Sequence, residues 1–199
     1  LGFTKPPAKT RPEAMATLPD SDGEGVAPPK EPSEMTPPER SAFAARCKEI
    51  GNRAFKASEW DYAMLAYQEG LRYLEYVPHD HEMQPIPGLD HGGQEQLDKD
   101  MSLASSLFSN LAAVALKLDD HRQALQYAEN ALRFDMTHVK ALFRRGQALL
   151  ALGEHSDALA TAEELLRKDP KNPEAVGLKS AAATAIQAAK KKEKVLFSK

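Results

Sequence analysis

An internal repeat of 34 residues constrains the fold of this chain more than any other feature of its sequence. Residues 105–138 align with residues 139–172 at an offset of 34, and a third copy begins at Ala44. Small residues at two positions of the repeat allow paired helices to approach closely, while larger apolar residues between them fill the seam. The repeat therefore predicts a stack of helical hairpins. The small residues are Gly51, Ala112 and Gly146 at one position, and Ala63, Ala124 and Ala158 at the other.

The helical periodicity has a clear beginning and one interruption. At Thr36–Glu39, a capping Thr, two prolines suited to a first turn and a Glu that can reach back to the cap predict a helix start. The first two copies begin 61 residues apart, and the extra residues are rich in Pro and Gly, which predicts a loop at about 78–98. After Asn172, residues 173–199 predict a further helix that covers the exposed face of the last repeat. No segment has the sustained period of two that is typical of strands.

This pattern resembles the tetratricopeptide repeat, and the resemblance covers residues 44–172. It implies an all-α, right-handed helical solenoid of three tetratricopeptide repeats, which supply six helices, followed by a C-terminal capping helix. We expect the repeats and their loop to occupy residues 36–172. We expect the capping helix, with a basic end, to occupy residues 173–199.

Residues 1–35 differ from the rest of the chain in composition. Nine of the 14 prolines fall within residues 1–38, among Lys, Glu, Asp, Ser and Gly. Such a segment buries too little apolar area to offset the entropy lost on ordering, so we expect a disordered arm or linker. The chain has neither an initiator Met nor an apolar signal core, which suggests a fragment of a longer protein.

Composition argues against several classes of function. Lys and Arg total 26 against 29 Asp and Glu, so the net charge is −3 and no basic character favours nucleic acid. No apolar run approaches the roughly 20 residues of a membrane span. The single cysteine, Cys47, fits a packed small residue. Residues 79–81 and His91 offer three histidines and an Asp in a Pro- and Gly-rich loop, which is a poor cage for a metal. We therefore expect no metal, no cofactor and no enzymatic activity in this chain.

The first helices of the three repeats carry polar residues that a stacked array would bring to one concave groove. Lys48 and Asn52 lie on the first of these helices, Asn110 on the second, and Lys140 and Arg144 on the third. The two residues of each pair are four apart and so share a helical face. Lys and Arg are charged donors, and Asn adds amide donors and a carbonyl acceptor. The set predicts binding of two nearby carboxylates on an extended peptide, such as a C-terminal carboxylate and an Asp side chain.

These five residues resemble the dicarboxylate clamp of chaperone-binding tetratricopeptide repeat domains. The resemblance implies a co-chaperone adaptor for the C-terminal Glu-Glu-Val-Asp tail of a heat-shock chaperone, with the ninety-kilodalton class favoured. It also implies peptide contacts from Lys117, Phe55, Ala113 and Leu116. The three repeats, the long loop and the basic last helix are similar to the C-terminal module of large immunophilins and of immunophilin-like co-chaperones.

Other functions stay open at this point. The chain could be the targeting module of a parent peptidyl-prolyl isomerase, or a repeat domain that binds another peptide, such as an import signal. The basic run Lys190–Lys194, followed by three apolar residues, is compatible with calmodulin binding. Its charges also complement the negative end of the helix dipole. An adaptor for a cytosolic chaperone would be located in the cytoplasm, and also in the nucleus if it follows its partner there.

Overall fold

The computed structural model describes residues 30–74 and 92–196, and within these ranges it contains helices and turns but no strand. Seven α-helices are present in the described part, after a short 3-10 helix at Pro32–Glu34. The result confirms the expected all-α fold of six repeat helices and a capping helix. The α-helices are α1 (Pro37–Lys56), α2 (Trp60–Tyr73), α3 (Gln94–Lys117), α4 (His121–Phe134), α5 (Val139–Leu152), α6 (His155–Lys168) and α7 (Pro173–Leu196).

The helices form two layers. Each helix packs against the next one along the chain, so α1–α2, α3–α4 and α5–α6 are hairpins, and α7 packs against α6. The odd-numbered helices also contact one another from repeat to repeat, whereas the even-numbered helices have no comparable contacts in the described part. The odd-numbered layer is therefore the inner, concave one. This arrangement brings α1, α3, α5 and α7 to a common surface.

The small residues of the repeat permit two different close contacts. A Cβ added at Gly51 of α1 would overlap the ring of Tyr67 in α2, which is the close approach within a hairpin that the sequence predicts. A Cβ added at Gly146 of α5 would instead overlap Leu178 of α7. The same repeat position therefore closes the first hairpin in one copy and receives the capping helix in another.

Helix α1 begins where the sequence predicts, but order begins before it. The backbone N–H of Thr36 donates to the Glu39 carboxylate at 2.8 Å, as in a capping box. Residues 30–35, which we expected to belong to the arm, contact α2. The Tyr73 hydroxyl donates to the carbonyl of Lys30 at 3.3 Å, and Arg72 forms an ion pair with Glu31 at 3.3 Å. Specific side chains of α2 thus hold this segment. Residues 1–29 lie outside the described residues.

Helix α3 begins at Gln94, inside the segment where we expected a loop at 78–98. Side-chain pairs spaced by four residues support its first turns, since Gln94 donates to Asp98 at 2.7 Å and Lys99 pairs with Glu95 at 2.7 Å. The helix has 24 residues, against 14 in α5. Residues 75–91 lie outside the described residues, and so do the histidines proposed and rejected above as metal ligands.

The capping helix α7 buries one face against the last repeat. Ala175 and Leu178 pack with Leu142 and Leu165, and Ala182 packs with Leu149. None of the helices in the described ranges is both long enough and apolar enough to cross a membrane. Among the described residues, no three potential metal ligands lie together.

Candidate peptide-binding groove

Three of the five polar residues predicted for the groove lie in one hydrogen-bonded network across α1, α3 and α5. The amide of Asn110 donates to Asn52 Oδ1 at 3.1 Å. The guanidinium of Arg144 donates to Ser109 Oγ at 2.6 Å and to Asn110 Oδ1 at 3.5 Å. The Tyr67 hydroxyl completes the network by donating to Asn52 Oδ1 at 2.8 Å. The repeat array therefore brings together Asn52, Asn110 and Arg144, which are 34 to 92 positions apart in the sequence.

The two lysines of the set stand one turn before their network partners. Lys48 precedes Asn52 on α1, and Lys140 precedes Arg144 on α5. Lys48 is half-buried and Lys140 is exposed. Within the described part of the chain, neither ammonium group forms an ion pair or a hydrogen bond. Both cations are therefore free to bind an anionic ligand next to the network.

Burial shifts the pKa values of two members of the network, Arg144 and Tyr67. Burial lowers the pKa of Arg144, and the nearby Tyr67 and Glu174 oppose this shift. Burial raises the pKa of Tyr67 to about 12, so its hydroxyl stays protonated and remains a donor near neutral pH. A partly desolvated guanidinium forms stronger interactions with a carboxylate than one in open water does. Arg144 therefore provides a fixed positive charge at the centre of the groove.

Lys48 also lines an open cleft that the sequence did not indicate. The cleft has a volume of about 450 Å³ and lies between α1 and the first turns of α3. Glu95 and Asp98 line it together with Lys99 and Ser102. The five predicted residues include no acid, but the early start of α3 adds two carboxylates beside Lys48. One of them, Glu95, is already paired with Lys99.

The four additional residues implied by the resemblance are dispersed along α1 and α3. Phe55 packs edge-on against the ring of Trp60, with 5.0 Å between the ring centroids, and so belongs to the first hairpin. Leu116 packs against the small residues between α3, α4 and α5. Ala113 is half-buried, and Lys117 is exposed in the last turn of α3. Their contact with a peptide stays a prediction, as does the role of the five clamp residues.

Two residues of the network were missed by the sequence analysis. Ser109 is fully buried and anchors Arg144, and its position had no distinguishing signal. Tyr67 did have one, because it occupies a repeat position where the other two copies have Ala128 and Ala162. The exception is explained by Gly51, which leaves room for the Tyr67 ring and so brings its hydroxyl to Asn52.

Comparison with known proteins agrees with the fold. Residues 115–182 match the family model described as "Tetratricopeptide repeat". The peptidyl-prolyl cis-trans isomerase FKBP4 of Mus musculus is 34% identical over 127 residues, which are 63% of this chain and 25% of that protein. The chain spans between about an eighth and a quarter of the length of the first curated relatives that it matches.

Solved structures extend the similarity to as much as 80% of this chain. The C-terminal domain of a putative FK506-binding protein from Plasmodium falciparum superposes with a TM-score of 0.69 and 26% identity, covering 80% of this chain and 99% of that chain. The myosin chaperone UNC-45 from C. elegans, solved with an Hsp90 peptide, has a TM-score of 0.57 and 29% identity, covering 73% of this chain and 14% of that one. The chain therefore folds as a tetratricopeptide repeat domain, and this domain resembles the C-terminal repeat region of FK506-binding immunophilins.

Proposed function

We propose that this domain is a co-chaperone adaptor that binds the C-terminal Glu-Glu-Val-Asp tail of a heat-shock chaperone, with the ninety-kilodalton class favoured. The observation that carries the proposal is the Asn52–Asn110–Arg144 network, which is flanked by the unpaired cations Lys48 and Lys140. A terminal Asp offers two carboxylates a few ångströms apart. Those carboxylates need several fixed donors from more than one direction, and three helices supply them here.

The proposal includes a direction for the peptide. Lys48 and Asn52 on α1 hold the terminal carboxylate, and Lys140 and Arg144 on α5 hold the neighbouring acidic side chain. Asn110 lies between them and is already hydrogen-bonded to both sides. Because the network is formed before binding, little side-chain entropy is lost when the ligand arrives. The Hsp90 peptide in the similar UNC-45 structure supports the choice of partner.

The test is titration calorimetry with a free-acid peptide ending in Glu-Glu-Val-Asp and with its C-terminal amide. We expect Lys140→Ala and Lys48→Ala each to weaken binding by about 1.5–3 kcal/mol, roughly tenfold or more, because each removes a charge-assisted interaction. Neither lysine has an internal partner, so the melting temperature should not change. Lys190→Ala, an exposed lysine near the end of α7, is the matched control. Equal affinity for the acid and the amide would overturn the proposal.

Arg144 needs a different substitution. Arg144→Ala removes the donor to the buried Ser109 hydroxyl as well as the groove cation, so a loss of binding would mix two effects. Arg144→Lys keeps the charge but loses the planar fork, and we expect weaker binding with a smaller change in stability. Melting curves of both variants separate the loss of a ligand contact from the loss of an internal hydrogen bond.

A second candidate function concerns the parent protein. Relatives named peptidyl-prolyl cis-trans isomerases are about four times as long as the segment matched here. This chain would then be the targeting module of such an enzyme, with activity in another part of the protein. An isomerase assay on the full-length protein, with this domain alone as the control, tests that role. If the ligand were instead an import signal, binding would not require a free C-terminal carboxylate on the peptide.

Two further proposals follow from the adaptor role and from the C-terminal helix. A chaperone adaptor belongs in the cytoplasm or the nucleus, which fluorescent tagging of the full-length protein would check.

Calmodulin binding through Lys190–Lys194 stays a prediction. A calcium-dependent pull-down tests it by comparing the wild type with a variant in which all five residues of this run are replaced by uncharged ones.

A further inference from the structure

The inner surface of the array continues beyond the predicted clamp onto α7. Leu178 of α7 lies against Gly146 of α5, so the two helices are in close contact at that point. Glu174 stands one turn before Leu178 and 34 residues after Lys140. In the register of the repeat, Glu174 therefore holds on α7 the position that Lys140 holds on α5.

The sign of the charge on the inner surface changes between these two helices. Glu174 is exposed, and within the described residues its carboxylate has no ion-pair partner. It is close enough to Arg144 for its negative charge to act on that guanidinium. The five clamp residues thus make the groove cationic on α1 and α5, although Glu95 and Asp98 lie beside Lys48, and Glu174 adds an acid at α7.

We propose that Glu174 is a specificity-determining residue that selects peptides with a basic residue upstream of the acidic tail. This inference rests on the proposed function, since it takes the peptide to run from α1 towards α7 as it leaves the clamp. A carboxylate at the end of this path attracts Lys or Arg and repels Asp or Glu. The groove would then select a tail with acidic residues at its end and a cation before them.

The length of an extended peptide defines where the basic residue must stand. Packed helices lie about 8–10 Å apart, and an extended chain advances about 3.3–3.6 Å per residue. The residue above α7 is therefore about three positions upstream of the one above α5. If the four residues of the Glu-Glu-Val-Asp tail occupy the clamp as far as α5, the basic residue lies one to four positions before them, roughly five to eight positions from the C-terminus.

A structural role for Glu174 makes a different prediction. A carboxylate in the first turn of a helix interacts favourably with the helix dipole, and its neutralisation would lower the stability of α7 slightly. That effect would leave the relative affinities of differently charged peptides unchanged. The preference among peptides therefore distinguishes specificity from helix stabilisation.

The experiment measures the affinities of free-acid decapeptides that end in Glu-Glu-Val-Asp, at low ionic strength. Each peptide has a single Lys, Ala or Glu at one of positions five to eight from the C-terminus. We expect the wild-type domain to prefer Lys over Glu by about two- to fivefold at one or two adjacent positions, as for a solvent-exposed ion pair. Glu174→Gln should abolish this preference, and Glu174→Lys should reverse it. Glu193→Gln, the same change at the far end of α7, should leave it intact.

The tetrapeptide Glu-Glu-Val-Asp separates the two ways in which the result could fail. It is too short to reach α7, so any change in its affinity in the Glu174 variants measures only the effect of this charge on Arg144. The Lys preference of the decapeptides is therefore compared with this baseline for each variant. If the tetrapeptide binds but the Lys preference is absent or survives in Glu174→Gln, the role of Glu174 is overturned and the proposed function stands. If neither the tetrapeptide nor any decapeptide binds, the proposed function itself fails.

Discussion

Gly51, Tyr67 and Asn52 link the packing of the first hairpin to the candidate groove. The absence of a side chain at Gly51 leaves room for the Tyr67 ring, and the Tyr67 hydroxyl reaches the carbonyl oxygen of Asn52 at 2.8 Å. This bond leaves the Asn52 amide nitrogen available as a donor to a ligand. A small residue that the repeat requires for packing thus also orients a polar side chain of the groove.

Gly51→Ala should therefore destabilise the domain. The added methyl group would overlap the Tyr67 ring, and overpacking of this kind typically costs about 1–3 kcal/mol. The gain in helix propensity, about 1 kcal/mol, offsets part of this cost. We expect a lower urea midpoint and weaker peptide binding, because Tyr67 can no longer orient Asn52.

Gly177→Ala is the matched control for this change. Gly177 is also helical, but an added Cβ would meet no atom within 4 Å. This variant should be as stable as the wild type or more stable, since only the propensity term remains. Equal stability of the Gly51→Ala and Gly177→Ala variants would contradict the packing argument.

At the scale of the element, α5 depends on a histidine cap. His138 precedes the helix, and its Nδ1 accepts from the backbone N–H of Ala141 at 3.1 Å. Burial lowers the pKa of His138, and Arg144 and Lys140 lower it further, although Asp135 has the opposite effect. A protonated Nδ1 could not accept this bond. The helix that carries two of the three cations of the clamp is thus best capped when His138 is neutral.

Acid should therefore weaken α5 and, with it, the domain. Because the folded-state pKa is below the ordinary value of 6.5, the stabilisation is present above pH 6.5 and is lost as the pH falls through the folded-state pKa. Loss of an N-cap costs about 0.5–2 kcal/mol. His138→Asn keeps a capping side chain that does not titrate, and it should flatten this part of the profile of unfolding free energy against pH. Identical slopes for the wild type and His138→Asn between pH 7.5 and 5.5 would show that this cap does not contribute.

At the scale of the whole molecule, the packing of neighbouring helices against one another provides the stability. In the described part of the chain, each hairpin packs mainly against its neighbours, as in other repeat arrays, so the last hairpin depends on α7 to cover it. The sequence predicts four leucines beneath the capping helix, namely Leu149, Leu152, Leu159 and Leu166. All but Leu152 belong to the clusters that α7 completes. Leu142 and Leu165 join them there. The capping helix thus closes the apolar core of the third repeat.

Truncation after Asn172 should therefore be severe. At about 25 cal/mol per Å², exposure of roughly 200 Å² of apolar surface costs about 5 kcal/mol. We expect a large fall in the melting temperature, or aggregation. Truncation after Ala189 is the control, because the residues it removes as far as Lys194 are exposed. A monomer ending at Asn172 with unchanged melting would show that the cap is dispensable.

The sequence by itself determined the class of fold, the number of helices and the starts of the first and last helices. These features follow from patterns that are local in the chain. The patterns are the 34-residue period, the Thr36–Glu39 cap and the small residues of the hairpins. A repeat adds strength to such signals because each local pattern occurs three times. The sequence also predicted that Asn52, Asn110 and Arg144 lie on stacked helices, and their side chains form one hydrogen-bonded network. Their role towards a peptide stays a prediction.

Only the tertiary structure decided which atoms of these residues meet. Ser109 holds Arg144, Tyr67 orients Asn52, and residues 30–35 contact α2. In these three contacts the partners are separated in the sequence by 15 to 43 positions. The close contact of Gly146 is with Leu178 of α7, one turn after Glu174. Such pairings depend on the crossing and spacing of helices. These are properties of the packed array, so no local pattern in the sequence specifies them.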